Sequence, residues 1–264
     1  MKIRKVNLKV DGLSLPCEIY LPKKRKHPHP TLCLCHGIPT AKHDPAERGY
    51  AVLAERFCAI GLVTLVFNFR GTGLAEGNMD MLGWTRDLNA AIDFLYRLDE
   101  VDKSKVCLLG SSAGAAVSVY VAANDPRISS VVTLACPAEF SFLSTLSTEQ
   151  TVASLIDHFR SIGTIRDADF PPSVDEWLEG FSRISPIRWV DKISPRPLLL
   201  VHGDQDDVVA LEHARKLYEK AKEPKEIFII PGAGHRLRQE ERAITTALSW
   251  LKAHQIDPRL RKDV

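Results

Sequence analysis

Leu109-Gly110-Ser111-Ser112-Ala113-Gly114 stands between the apolar run Lys105–Leu109 and a stretch of small residues that includes Ala113, Ala115 and Ala116. The pattern within it is G-x-S-x-G. It reads as a buried strand that runs into a sharp turn and then a helix. Gly110 and Gly114 keep side chains out of the turn. Ser112 is thereby pushed into the open, with its hydroxyl at a helix N-terminus. Free N–H groups and the positive end of the helix dipole favour a developing oxyanion there.

The chain around this turn alternates strand and helix. Thr31–Cys35, Leu62–Phe67, Ile128–Ala135, Pro197–Val201 and Glu226–Ile230 are short, continuously apolar runs. Such runs suit strands buried on both faces, as in a parallel sheet covered by helices. Helices are predicted from about Pro45 to Ile60, Trp84 to Leu98, Leu211 to Lys222 and Glu240 to Ala253. The last carries Ile244, Ala247, Leu248 and Leu251 at helical spacing. Ahead of them, Val6–Val10 and Leu15–Leu21 form a hairpin at Asp11-Gly12, a favoured turn pair. The basic loop 22–30 reads as a solvated connection.

Residues 138–190 break the alternation. Two capping boxes, at Ser147–Gln150 and Ser173–Glu176, open two amphipathic helices. Val152, Leu155, Ile156, Phe159 and Ile162 stripe the first, and Val174, Trp177, Leu178, Phe181 and Ile184 the second. This segment reads as a helical excursion over the sheet. Phe159, Trp177 and Phe181 are read mainly as packing residues, with a substrate pocket as the other role. The polar stretch from Gln255 to Val264 reads as a loose tail.

A serine hydroxyl needs a base, and the base needs an orienting acid. Of nine histidines, His235 is best placed, in the loop Pro231–His235 that follows the last strand. His27, His29, His43, His158, His213 and His254 lie in front-end loops, inside helices or near the tail. The acid belongs to the cluster Asp204, Asp206 and Asp207, after the strand at 197–201. The oxyanion needs two backbone donors. Ala113 N–H follows the nucleophile, and Ile38 N–H lies in the loop His36-Gly37-Ile38-Pro39, where Pro39 has no N–H to give.

Together His36-Gly37, Phe69–Gly73, Gly110–Gly114, His202–Val209 and Gly234-His235 resemble the α/β-hydrolase superfamily over nearly the whole chain. The resemblance implies an α/β fold with a mostly parallel eight-stranded sheet flanked by helices. It implies a catalytic domain over 1–137 and 191–264, with a helical cap over 138–190 inserted after the sixth strand. The family's acid lies three residues after the Gly of the strand-end H-G pair, which selects Asp206. Compact size and a single short cap look like the branch of carboxylesterases that includes cinnamoyl and feruloyl esterases. The implied activity is hydrolysis of short-chain or aromatic carboxylic esters by a Ser112–His235–Asp206 triad, with Ile38 and Ala113 as the oxyanion hole. Relatives that use Cys or Asp as nucleophile are disfavoured by Ser112. Acyl-peptidase-like amide hydrolysis, thioester hydrolysis and a non-catalytic binding role are the alternatives.

Composition sets the remaining expectations. Thirty-five basic and 33 acidic residues leave a net charge of +2 in 264 residues, which offers no polyanion-binding surface. No apolar run approaches the ~20 residues of a membrane span, and Met1–Gly12 lacks a signal-peptide core. A cytoplasmic protein acting on a small ester, without cofactor or metal, is expected, with a homodimer left open. Cys17, Cys33, Cys35, Cys58, Cys107 and Cys136 read as buried apolar residues. Cys33-Leu34-Cys35-His36 lacks the second ligand pair of a zinc site. Arg70 is read as a structural residue bonding nearby carbonyls.

Overall fold

Asp11 and Gly12 both take positive φ, 52° and 81°, and turn β1 (Lys2–Val10) back onto β2 (Leu13–Leu21) with Val10 opposite Leu13. Positive φ at both centres is what a type I′ hairpin turn requires. The computed structural model describes residues 1–23, 28–42, 49–146, 148–257 and 259. Its eight strands form one sheet in the order β1-β2-β4-β3-β5-β6-β7-β8. β2 runs antiparallel to β4 (Val63–Phe67). From β4 onward the pairing is parallel, through β3 (His29–Cys35), β5 (Val101–Ser111), β6 (Ile128–Leu134), β7 (Leu198–Gly203) and β8 (Lys225–Ile230).

Both faces of the sheet are covered, which is why its central strands are continuously apolar. Along β3, Leu32 and Leu34 join the core under α1 (Gly49–Ala59) and α7 (Glu241–Leu251). Cys33 and Cys35 point the other way, into the core shared with α2 (Met81–Tyr96) and α3 (Ala113–Asn124). α6 (Leu211–Lys220) adds Leu217 to that second core. All six cysteines are free and buried. The order reverses around β3, and in open α/β sheets such a switch point, at the carboxyl ends of β3 and β5, is where ligands bind.

Residues 138–190 hold a 3-10 turn (Ser141–Thr145), α4 (Glu149–Ser161) and α5 (Val174–Arg183). Edge-to-face pairs connect Phe159 to Trp177, Trp177 to Phe181, and Phe181 to Phe140 and Phe142, with centroids 5.2–5.8 Å apart. These rings are the apolar stripes meeting each other, which favours the packing role. The segment is bolted to the loop after β4. Met79 N–H donates to Thr164 O at 2.8 Å, Trp177 Nε1–H to Met79 O at 2.9 Å, and Arg166 Nη1 to Ala75 O at 2.6 Å.

Four local readings are corrected. α4 is capped by Thr148, whose hydroxyl accepts from Thr151 N–H while Thr151 Oγ1 accepts from Thr148 N–H; Ser147 lies outside the described residues. α2 starts at Met81 because the Asp80 carboxylate caps Leu82 and Gly83 N–H. Gln255 is buried, bonded to Ser130 Oγ at 2.7 Å, with its carbonyl taken by Lys105, so it is no part of a loose tail. Arg70 bonds carboxylates rather than carbonyls. Its guanidinium reaches Asp87 at 2.7 Å and Asp11 at 2.9 Å, joining the loop after β4 to α2 and to the hairpin turn. His27, His43 and the start of the helix expected at Pro45 lie outside the described residues.

Candidate active site

β5 ends at Ser111 and α3 begins at Ala113, so Ser112 alone makes the turn, with φ 53° and ψ −125°. That is a strained conformation for a residue with a side chain. Its surroundings impose it. A Cβ on Gly110 would stand 2.4 Å from Ala115 Cα, and one on Gly114 would stand 2.2 Å from His36 O. Only glycine lets strand, turn and helix close to these distances. Ser112 N–H donates to Leu134 O at 2.9 Å, which pins the turn to β6.

His235 reaches this serine from the loop after β8. Its Nε2 lies 3.1 Å from Ser112 Oγ, and its Nδ1 lies 2.9 and 3.1 Å from the two oxygens of Asp206. Facing a carboxylate, Nδ1 carries the proton, and Nε2 is left to accept the serine hydroxyl. Asp206 is buried, and Oδ1 also accepts from Val208 N–H at 3.0 Å and Val209 N–H at 2.8 Å. Burial pushes its pKa up. The hydrogen bonds from His235 and from these amides outweigh that and leave it below the ordinary 3.8. Asp204 instead ties the turn, accepting from Gly232 N–H.

His202 sits behind the acid. Its Nε2 lies 2.7 Å from Val209 O, a carbonyl, so Nε2 is the donor and closes the loop that holds Asp206. Burial, foremost, lowers its pKa and keeps the ring neutral beside the carboxylate 3.5 Å away.

The loop after β3 lies against the serine. A Cβ on Gly37 would be 2.9 Å from Ser112 Cβ and 3.6 Å from its Oγ. Ile38 follows directly, and Ala113, first in α3, has no helical partner for its N–H. His36 is buried, with Nδ1 2.7 Å from Gly37 O and Nε2 accepting Phe69 N–H at 3.0 Å. Burial lowers its pKa to about 4. Both ring nitrogens are thus engaged with backbone. Tyr50 of α1 meets the His36 ring edge-on, with centroids 6.1 Å apart. Among the described residues, no three His, Cys, Asp or Glu side chains gather as a metal site.

The structure therefore brings Ser112, His235 and Asp206 into one hydrogen-bonded line, with Ala113 and the 36–38 loop beside the serine. Sequence reasoning missed His36 and His202 as ring contacts. The signal was the same His-Gly pair at the ends of two buried strands.

Residues 17–221 match the BD-FAE family. The uncharacterized protein YfhR of Escherichia coli K12 is 30% identical over 174 residues, which are 64% of this chain and 52% of YfhR. The chain thus spans about half the length of that relative. Among solved structures, the hypothetical protein PA2218 from Pseudomonas aeruginosa superposes with a TM-score of 0.74 at 24% identity, covering 96% of this chain and 94% of that one. Est1E from Butyrivibrio proteoclasticus superposes with a TM-score of 0.71 at 22% identity, covering 96% and 98%. The sheet order and the strand–serine–helix turn are those of the α/β-hydrolase fold, and the match over residues 17–221 places the chain in the BD-FAE family.

Proposed function

We propose that the chain is a serine hydrolase of carboxylic esters. The observation that carries this reading is the continuous line from Ser112 Oγ to His235 Nε2 at 3.1 Å and from His235 Nδ1 to Asp206 Oδ2 at 2.9 Å. Ser112 Oγ attacks the ester carbonyl while His235 Nε2 takes its proton. Asp206 holds the imidazole in the Nδ1–H tautomer and stabilises the cation that forms. Ile38 and Ala113 N–H receive the oxyanion of the tetrahedral intermediate. The intermediate collapses as His235 returns the proton to the departing alkoxide, leaving an acyl-serine. His235 then deprotonates a water, whose attack releases the acid and restores Ser112.

The insertion at 138–190 is read as a cap over the crevice, supported by its ties to the loop after β4. Est1E, whose structure is known with ferulic acid bound, supports trying aromatic acyl groups first. The test is a panel of nitrophenyl esters of increasing chain length, hydroxycinnamate esters, thioesters and peptide anilides. Ester turnover well above anilide turnover is expected. Anilides or thioesters turned over faster than every ester would overturn the ester assignment.

A further inference from the structure

The peptide between Gly37 and Ile38 is the one the local sequence leaves free to rotate. Gly37 has no Cβ to restrict it. Pro39, by contrast, confines Ile38 to extended backbone. In a trans peptide the C=O and the N–H point in opposite directions. Whatever fixes Gly37 O therefore fixes Ile38 N–H. His36 does so, with Nδ1 2.7 Å from Gly37 O. A carbonyl only accepts, so Nδ1 donates. Nε2 must then be the acceptor for Phe69 N–H at 3.0 Å, which sets the ring's tautomer and its angle together. Phe69 and Trp84 flank the imidazole at 5.1 and 5.6 Å between centroids and close it in.

We propose that His36 is a positioning residue: it holds the Gly37–Ile38 peptide so that Ile38 N–H, rather than Gly37 C=O, faces the oxyanion formed at Ser112. This role rests on the serine-hydrolase reading above. With Gly37 packed against Ser112, a flipped peptide would set a carbonyl oxygen where negative charge develops and would remove a donor. Burial keeps His36 neutral down to about pH 4, so the tautomer holds through the ordinary working range. Loss of one oxyanion donor costs roughly 10²–10³ in kcat. Partial loss of its orientation should cost somewhat less, and because the contact matters in the transition state, kcat should carry it rather than KM.

The test compares His36→Leu, His36→Asn and His36→Gln with the wild type. It uses kcat and KM on nitrophenyl acetate and the inhibition constant of a trifluoromethyl ketone, whose serine adduct carries an oxyanion. Asn offers a donor where Nδ1 stands; Gln places its amide where Nε2 stands. For His36→Leu, kcat should fall roughly 10- to 100-fold with KM within about threefold, and the ketone should weaken by a similar factor. His36→Asn should recover part of the loss and exceed His36→Gln. Should His36→Leu not fold, the Asn and Gln variants decide. Asn no better than Gln overturns the proposal, as does a folded His36→Leu with unchanged kcat and ketone affinity. A wild type without Ser112-dependent hydrolysis overturns the functional reading and this role with it. Ser112-dependent hydrolysis that His36→Leu leaves intact overturns this role alone.

Discussion

Gly203, at the end of β7, and Ala233, in the loop after β8, lie so close that a Cβ on Gly203 would stand 2.1 Å from the Ala233 carbonyl oxygen. Gln205 N–H donates to that same carbonyl at 3.0 Å, and Asp204 accepts from Gly232 N–H at 2.6 Å. The loops that carry Asp206 and His235 are thus zipped backbone to backbone. Gly203→Ala must push them apart. Stability should fall by about 1–3 kcal/mol in urea denaturation, as for other overpacked sites. Ester turnover at a temperature where the variant is folded should fall as well, because the His235–Asp206 distance changes. Unchanged turnover would show that the contact does not set the site.

Asp206→Asn should separate charge from structure. An amide oxygen at this position can still accept from Val208 and Val209 N–H, so the loop should hold and the melting temperature should stay close to that of the wild type. The charge that stabilises protonated His235, and the preference for its Nδ1–H tautomer, are lost. Turnover should fall by roughly 10³- to 10⁴-fold. A loss under tenfold would remove Asp206 from the role assigned to it.

Arg70 offers a test of buried charge. Asp87 is fully buried, and Arg70 meets it through both Nε and Nη2. Arg70→Met leaves that carboxylate in the core with the residue-70 N–H but no counter-charge, which should cost about 3–5 kcal/mol. Adding Asp87→Leu should recover much of the loss. Asp11, whose side chain is 44% exposed, contributes the outer half of the network, and Asp11→Ala should cost under about 1 kcal/mol. Chemical denaturation of the three variants beside the wild type gives all of these values.

Acid should destabilise the fold before it reaches the carboxylates. Burial lowers the pKa of His36, from 6.5 to about 4, and also lowers those of His202 and His213. Between these limits the unfolded chain binds more protons than the folded one, so stability rises with pH. The contribution is complete above pH 6.5 and is lost as pH falls toward 4. For His36 alone the loss is on the order of 3 kcal/mol. Asp206, depressed below 3.8, extends the decline in the same direction at lower pH. Urea midpoints at steps from pH 8 to 4 should show the fall, and a folded His36→Gln should show a shallower one.

The fold was legible because it is written in local pattern. Buried strands are continuously apolar, and the Ser112 turn is forced by two glycines beside small residues. Ser112 and His235 were legible from strand-end loops, as was the cluster of three aspartates, within which the family resemblance selected Asp206. What escaped were contacts between distant loops. Arg70 finds one partner, Asp11, on a hairpin turn 59 residues away and the other, Asp87, in α2, and no spacing announces either. Gln255 looks like a tail residue until β6 presents Ser130 to it. Thr148 caps α4 and Thr151 reciprocates, a pairing one residue on from the box read at Ser147–Gln150. His36 and His202 read as markers beside glycines. Their rings matter only once Gly37 O, Phe69 N–H and Val209 O have been brought to them.

The most direct measurement is the rate of nitrophenyl ester hydrolysis by Ser112→Ala beside the wild type, with a fluorophosphonate adduct mapped on both. In the proposed mechanism Ser112 Oγ is the nucleophile that carries the acyl group, so the rate should fall on the order of 10⁴-fold or more. The adduct should sit on Ser112 in the wild type and be absent from the variant, with the melting temperature little changed. A folded Ser112→Ala that hydrolyses the ester at the wild-type rate would contradict the mechanism outright.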